Sequence, residues 1–332
     1  MKLFAKDSFI ELAIVVINYK TPQLVLDCLE SLLPELKDLN AKVIVVDNAS
    51  EDGSCLLIKR WIEDCTEGDA VTLISSNENS GFSDGNNLGI VALDAEYYLL
   101  LNSDTLVRKG AITSLLSAAK SEGKVGLISP RLEWPDGLAQ ESCFRFHSPV
   151  SELISSANTG LITHILQKYN VPHTVSNKVA LYDWTSFACV LIKAEVFNDI
   201  GLMDDGYFMY FEDVAFSYKA KQAGWKVMNV PDAYVVHLRG GSSSLKSQAK
   251  QRKRLPRYFY ESRTRFFYQV YGRVGLLMAN MFWTLGYGVS LLRSLLSPSF
   301  KPSVSSYQWK DIWINFLRPL RAYVHPDDYK RD

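Results

Sequence analysis

The side chains of this 332-residue chain that could do chemistry fall into a few short stretches. Asn102-Ser103-Asp104 follows the apolar run 97–101. A carboxylate beside an amide oxygen makes a half-site for a hard divalent cation whose other ligands are phosphate oxygens and water. The same three residue types also favour a plain turn. Glu212-Asp213 follows the aromatic cluster Tyr207-Phe208-Met209-Tyr210-Phe211 and opens an amphipathic stretch. An acid there can cap a helix against its dipole, or stand at the edge of an aromatic pocket as a general base. The residue types leave both readings open. His237 precedes Arg239-Gly240-Gly241-Ser242, a flexible, partly basic loop. A lone histidine is more often structural than a ligand, and this loop leaves phosphate or metal contact open.

These groups need strands and helices to hold them. Residues 12–17 form an apolar, β-branched run that ends at Asn18, and Thr21-Pro22 then predicts a helix start. A helix is expected over 23–36, a second buried strand over 42–46 ending at Asp47-Asn48, a helix over 55–65 and a strand over 71–74. Alternating strands and helices predict a parallel sheet with right-handed crossovers. Ligands bind outside the carboxyl ends of such strands, so Asn18, Asp47 and Asp104 stand where a nucleotide-type ligand would be met. The segment from Asn77 to Gly89 is the densest in polar residues and glycine, with four asparagines in eleven residues. It carries neither a GxGxxG fingerprint nor a P-loop, and reads as a binding site rather than a plain loop.

Farther along, a helix is expected over 109–122 and a strand over 125–129, after which 134–178 loses clear periodicity. A long irregular insert is usually a lid or a surface for a variable partner. Strands over 179–184 and 188–192, helices over 194–200 and 213–223, and a short strand over 225–230 complete this part. Lys+Arg and Asp+Glu both number 36, so total charge does not point to nucleic acid. The five cysteines are scattered without metal-site pairing, which fits a reducing compartment. Met1 to Asp7 has no long apolar stretch, so no signal peptide and a cytoplasmic setting are expected.

Six motifs in order resemble the family 2 glycosyltransferases. They are Val16-Ile17-Asn18-Tyr19; Val46-Asp47-Asn48-Ala49-Ser50 with Asp52-Gly53-Ser54; Asn79-Ser80-Gly81-Phe82 with Gly85-Asn86-Asn87-Leu88-Gly89; Leu101-Asn102-Ser103-Asp104-Thr105; Tyr210-Phe211-Glu212-Asp213-Val214; and His237-Leu238-Arg239-Gly240-Gly241-Ser242. The bacterial rhamnosyltransferase-like branch is the most similar. The resemblance implies an α/β fold of GT-A type, Rossmann-like, with a mainly parallel central sheet flanked by helices over 1–245. Residues 134–178 would be an acceptor-side insert, and 246–332 a helical membrane-facing tail.

The resemblance also implies roles. Asn18 and Asp47 would contact the nucleoside of a nucleotide-sugar donor, Asp47 its pyrimidine. Asn48, Asn79, Gly81, Asn86 and Asn102 would line the nucleotide and sugar site. Asp104 would hold Mg²⁺ or Mn²⁺ against the diphosphate, with Asn102 in place of the first acid of the family's metal motif and His237 adding a metal or phosphate contact. Asp213 would be the general base, with Glu212 orienting or replacing it. Asp84 stands where a small residue is expected. The implied reaction is inverting transfer of L-rhamnose from dTDP-L-rhamnose to a lipid-linked or growing surface glycan. A UDP-galactofuranose or UDP-glucose donor is the alternative, and a non-catalytic sugar-nucleotide-binding protein the alternative of another class.

In the tail, nine Lys and Arg residues between 246 and 273 interleave with aromatics, and 274–292 carries no charge. That length meets the lower limit for a membrane span, but Gly275, Asn280, Thr284, Gly286, Gly288 and Ser290 dilute it. A helix lying in the interface, peripheral or monotopic at the inner face of the cell membrane, is expected at least as much. A buried core helix is the plain alternative. No nucleic-acid recognition module accompanies the basic patch. Pro298 and Pro302 should interrupt the helix before a last amphipathic segment over 309–317.

Overall fold

A computed structural model of the chain describes residues 10–121, 123–238, 251–297 and 299–329. The expected boundary at 245, Lys246, Lys250, Pro298 and the loop from Arg239 to Ser242 lie outside them. The chain forms two compact units. One comprises 1–144, 174–205 and 213–242; the other comprises 145–173, 206–212 and 243–332.

In the first unit the apolar runs become β1 (Ile10–Asn18), β2 (Ala41–Asp47), β3 (Val71–Ser75) and β4 (Ala95–Asn102). Between them lie α1 (Pro22–Leu32), α2 (Ser54–Asp64) and α3 (Gly81–Ala92). Then come β5 (Thr105–Val107), α4 (Ala111–Ser121), β6 (Val125–Glu133) and β7 (Cys143–Phe144). Within 145–173, in the other unit, lie α5 (Pro149–Ala157) and α6 (Gly160–Ile165). The first unit resumes with β8 (Ala180–Tyr182), β9 (Trp184–Thr185), β10 (Cys189–Lys193) and α7 (Ala194–Ile200). Next are α8 (Glu212–Gln222) and β11 (Lys226–His237).

The sheet order is β3-β2-β1-β4-β10-β6-β11-β5, with β8 on β11, while β7 pairs only with β9. β3, β2, β1 and β4 run parallel, and β10 is inserted antiparallel between β4 and β6. Alternation along each strand splits the core in two. Leu12, Ile14, Val16, Val43 and Val45 face one layer, packed by Leu29 of α1, Ile58 of α2 and Leu115 of α4. Ala13, Val15, Ile44 and Val46 face the other, packed by Ile90 of α3, Val196 of α7 and Phe216 of α8. Parallel strands covered on both faces read as unbroken apolar runs, which is why the sequence announced them.

Four expectations are corrected. The helix expected over 23–36 ends at Leu32, and a 3₁₀ turn takes Leu33–Leu36, since Pro34 has no N–H to continue the ladder. The strand expected over 179–184 is two strands in two different sheets. The short strand over 225–230 continues as β11 through Pro231 to His237, because a register shift between Val230 and Tyr234 absorbs the proline. Part of the stretch without periodicity is helical: α5 begins with Ser148 capping the Ser151 N–H and Pro149 in its first turn.

The second unit pairs that insert with the C-terminal segment. Its main element is α9 (Arg257–Leu296), broken at Gly272, whose φ of +67° no helix accommodates. Against α5, Gly286 brings the helices together so closely that a Cβ there would lie 2.2 Å from Ser156 Oγ and 2.5 Å from the Leu153 carbonyl. Leu255, Tyr260, Trp283 and Ile312 form its apolar centre. The helix Gln308–Asp311 ends early in the segment and turns follow, so the amphipathic segment expected over 309–317 is mostly turns.

Half-buried His147 lies 5.2 Å from Phe211 and 6.1 Å from Phe266, ring to ring. Burial, helped by the nearby Arg263 charge, pushes its pKa down from 6.5 to about 4. The folded unit therefore refuses a proton that the unfolded chain accepts. Stability from this group is whole above pH 6.5 and is lost as pH falls toward 4. Thermal melts at pH 7.5 and 5 should show this loss in the wild type and a smaller one in His147→Phe.

Candidate active site

Asn18 and Asp47 are register partners at the carboxyl ends of β1 and β2, and Ile17 pairs with Asn102 at the end of β4. Backbone pairing alone places Asn18 and Asp47 side by side, while Asn102 lies beside Ile17, one residue out of that register. Asn18 Nδ2 donates to Asp47 Oδ1 at 2.6 Å and to Ser50 Oγ at 3.0 Å. Ser50 donates through Oγ to Asp47 Oδ1 at 2.6 Å and through its backbone N to Asp47 Oδ2 at 3.1 Å. Asn18, Asp47 and Ser50 are all buried. Ser50, to which sequence reasoning gave no role, holds the Asp47 carboxylate; its place three residues after Asp47 was the available signal.

Asp47 Oδ2 accepts one of these bonds, and Asp47 lines a cavity of about 320 Å³. Ala49, Glu51, Gly53 and Ser75 line it too. Ala49 and Glu51 both have φ of +53° and Gly53 +87°, so three of five successive residues occupy the left-handed region. Such strain outside glycine costs of order 1–3 kcal/mol per residue and clusters at ligand sites. The volume is at the lower end of ordinary small-molecule sites.

In the glycine and asparagine segment, two of the glycines serve close packing. A Cβ on Gly89 would lie 2.4 Å from Val15 Cγ1, and one on Gly85 3.2 Å from Ile17 Cδ1. Those glycines let α3 press onto β1. Gly81, at φ +86°, starts α3, and its carbonyl accepts from Asn48 Nδ2 at 3.0 Å. Asn48 Nδ2 also donates to Asn79 Oδ1 at 2.9 Å, joining the end of β2 to the start of α3. Asn86 is buried and donates to the Phe82 carbonyl within its own helix. Asn87 bridges outward, accepting from Met203 N at 3.1 Å and donating to Met203 O at 2.9 Å. Asp84, unexplained by the motif, accepts from Ser80 Oγ at 2.5 Å in the first turn of α3, where a negative charge meets the helix dipole.

Asp104 is buried in the β4–β5 turn, and His237 Nε2 at the end of β11 stands 3.5 Å from its Oδ1. Backbone pairing explains the meeting, since His237 is the register partner of Thr105 and Leu238 N donates to Asp104 O at 2.9 Å. Gln140 Nε2 holds the His237 carbonyl at 2.7 Å, while His237 Nδ1 is buried without a hydrogen-bond partner among the described residues. Two ligand atoms about 2.1 Å from one cation lie roughly 3–4 Å apart at angles between 90° and 130°, so this spacing fits a shared ion. A carboxylate oxygen and an imidazole nitrogen suit Mn²⁺ better than Mg²⁺. No group of three or more acids, histidines or cysteines able to hold a metal occurs among the described residues. The protein would thus supply two ligands and leave the others to diphosphate and water. Thr105 Oγ1 donates to the Asn102 carbonyl at 2.6 Å, and the buried Cys28 thiol lies against the same turn. Burial, with a smaller push from Asp104, raises that thiol to about 12, so Cys28 stays neutral.

Glu212 and Asp213 open α8, preceded by Tyr210 and Phe211 at φ +70° and +66°. Two successive aromatic residues in the left-handed region store strain just before the acids. Asp213 Oδ1 accepts from Val214 N at 2.8 Å. Asp213 is half-buried and Glu212 buried.

The mostly parallel sheet, with acids and amides gathered at neighbouring strand ends, has a GT-A fold. The mannosyltransferase PcManGT of Pyrobaculum calidifontis, solved with GDP-Man and Mn²⁺, shares that fold. Its TM-score is 0.53 at 16% identity, over 94% of this chain and 86% of that one. Residues 13–166 match the model of glycosyl transferase family 2. A low-salt glycan biosynthesis hexosyltransferase of Haloferax volcanii, Agl10, is 28% identical over 64% of this chain and 62% of its own length. An N-acetylglucosaminyl-diphospho-decaprenol L-rhamnosyltransferase of Mycobacterium tuberculosis is 27% identical over 60% of this chain and 67% of its own. The matched part is thus less than two thirds of the first relative's length.

Proposed function

We propose that this protein is an inverting glycosyltransferase that moves L-rhamnose from dTDP-L-rhamnose to a lipid-linked or growing surface glycan at the cytoplasmic face of a membrane. The observation that carries it is the hydrogen-bonded Asn18–Asp47–Ser50 cluster beside a nucleoside-sized cavity, with the Asp104–His237 pair also at the carboxyl-end side of the same sheet. The mycobacterial relative is named for transfer of L-rhamnose to a decaprenol-linked diphospho-sugar, which supports both the sugar and the acceptor class.

Asp47 accepts the imide proton of the pyrimidine through Oδ2, while Asn18 and Ser50 hold its carboxylate in place. Asp104 and His237 would hold Mg²⁺ or Mn²⁺, and the bound ion would neutralise charge on the departing diphosphate. Asp213 takes the proton of the acceptor hydroxyl. The hydroxyl oxygen then bonds to the anomeric carbon from the face opposite the diphosphate, whose oxygen leaves with the bonding electrons. Inversion follows from attack on that opposite face.

A panel of nucleotide-sugars, scored by thermal shift and release of nucleoside diphosphate, tests the proposal. dTDP-L-rhamnose with Mn²⁺ should give the largest shift, and ligand at 100 times its dissociation constant stabilises by about 2.7 kcal/mol. Asp104→Asn should lose the Mn²⁺-dependent part of that shift and keep the part due to the nucleoside. A shift indifferent to Mn²⁺ in the wild type would remove Asp104 from the metal role. A preference for UDP-galactofuranose or UDP-glucose would replace the donor.

A further inference from the structure

The second unit is polarised in a way that the whole-chain balance of 36 to 36 conceals. It carries 18 Lys and Arg against 7 Asp and Glu, leaving 18 against 29 in the first unit. Its long helix after Gly272 also buries polar side chains while exposing apolar ones. Asn280 and Ser290 are fully buried, with Asn280 Nδ2 donating to the Ile312 carbonyl and Ser290 Oγ to the Ser156 and Ala157 carbonyls. Val274, Met281, Leu285, Leu292 and Leu295 face outward, with Leu285 60% and Leu292 63% exposed. They recur every three, four or seven residues and make one continuous apolar stripe. Trp309, Trp313 and Leu317 are exposed in the segment that follows.

We propose that this stripe lies flat on an anionic lipid bilayer and makes the second unit a monotopic membrane anchor. This deepens the reading of the acceptor as lipid-linked, and rests on that reading for its purpose but not for its geometry. The helix runs from 273 to 296 and, at about 36 Å, is long enough to cross a bilayer. It is tied to the protein along its length instead. Asn280 accepts from buried Arg263, Ser290 binds the end of α5, and Arg293 donates to the Asn158 carbonyl at 2.8 Å. A spanning helix would drag those buried polar contacts and α5 into hydrocarbon, whereas a flat one leaves them on the protein side. Charge chooses the occupant. Two copies meeting through this face would press two strongly basic units together, while an anionic leaflet attracts them. Exposed tryptophans suit the headgroup layer. The insert joins the anchor as well, for α6 exposes Leu161 and Ile165 in the same unit.

The test is co-sedimentation of the full chain with vesicles of phosphatidylcholine, with and without phosphatidylglycerol, in the absence of donor. Binding should require phosphatidylglycerol, weaken with salt, and be stripped by an alkaline carbonate wash. Leu285→Glu with Leu292→Glu should lower binding at least about tenfold, since two charges would enter the headgroup and acyl boundary. Melting should be unchanged, because both residues are exposed. Val91→Glu, an exposed apolar residue of the first unit, is the control and should bind as the wild type does. Asp213→Asn should also bind normally, so a failed catalytic assignment and a failed anchor give different results. Resistance to carbonate would overturn the flat placement. Equal binding to neutral vesicles, or full binding by the double variant, would overturn the surface. A dimer in lipid-free solution that the double variant dissociates, without vesicle binding, would replace the bilayer with a second copy.

Discussion

Asp213→Asn is expected to lower turnover by about 10²–10⁴-fold, the usual contribution of a positioned general base, while nucleotide binding stays at the wild-type level. The substitution keeps size and shape, and the amide oxygen can still accept from Val214 N, so the first turn of α8 should survive. What is lost is the capacity to take the acceptor's proton. The left-handed backbone at Tyr210 and Phe211 favours this residue over a plain helix cap. A cap needs only a residue in the β region before the first turn, whereas two strained aromatics in succession persist where geometry is being held for a purpose. Nucleoside diphosphate release measures turnover, and thermal shift with nucleotide measures binding. Wild-type turnover in the variant would transfer the role to Glu212, and Glu212→Gln should then show the loss instead.

Arg263→Met is expected to destabilise the second unit by about 3–5 kcal/mol, the usual result of breaking one side of a buried ion pair. Arg263 is 3% exposed and donates three hydrogen bonds to two side chains. Its Nη2 donates to Glu152 Oε2 at 2.7 Å, its Nε to the same oxygen at 3.1 Å, and its Nη1 to Asn280 Oδ1 at 2.8 Å. Its guanidinium also lies 4.9 Å from the centre of the Phe267 ring. Removing the arginine strands the Glu152 charge in the interior between α5 and α9. Glu152→Leu added to Arg263→Met should recover much of the loss, since two well-packed apolar side chains often equal a buried pair. Chemical denaturation of the single and double variants gives the comparison. If the single substitution cost no more than an exposed ion pair, under about 1 kcal/mol, water must be reaching the pair.

Much of the proposed site was named from residue order. The motifs around Asn18, Asp47, Asn79, Asp104, Asp213 and His237 carry family information in short range, because each sits in a turn at the end of a strand or the start of a helix. Strands β1, β2 and β4 were legible for a physical reason: burial on both faces leaves no polar position to interrupt the run. Strand β11 was harder, since Pro231 imitates a chain break until a neighbouring strand shows the bulge that absorbs it.

Pairing over long separations was not available to residue order. Nothing near Gly85 or Gly89 says that Val15 or Ile17 will press against it, so packing glycines looked like ligand glycines. Arg263 and Glu152 are 111 residues apart, and their buried pair ties residues 145–173 to the C-terminal segment of the same unit. Charge polarity was hidden in the same way, because equal totals of acid and base separate only when the chain has folded into two units. Local pattern thus determined the kind of protein and the identities of its acids. Tertiary structure alone decided which acids and amides hold one another and which apolar face is left exposed, because hydrogen bonding and burial act between neighbours in space.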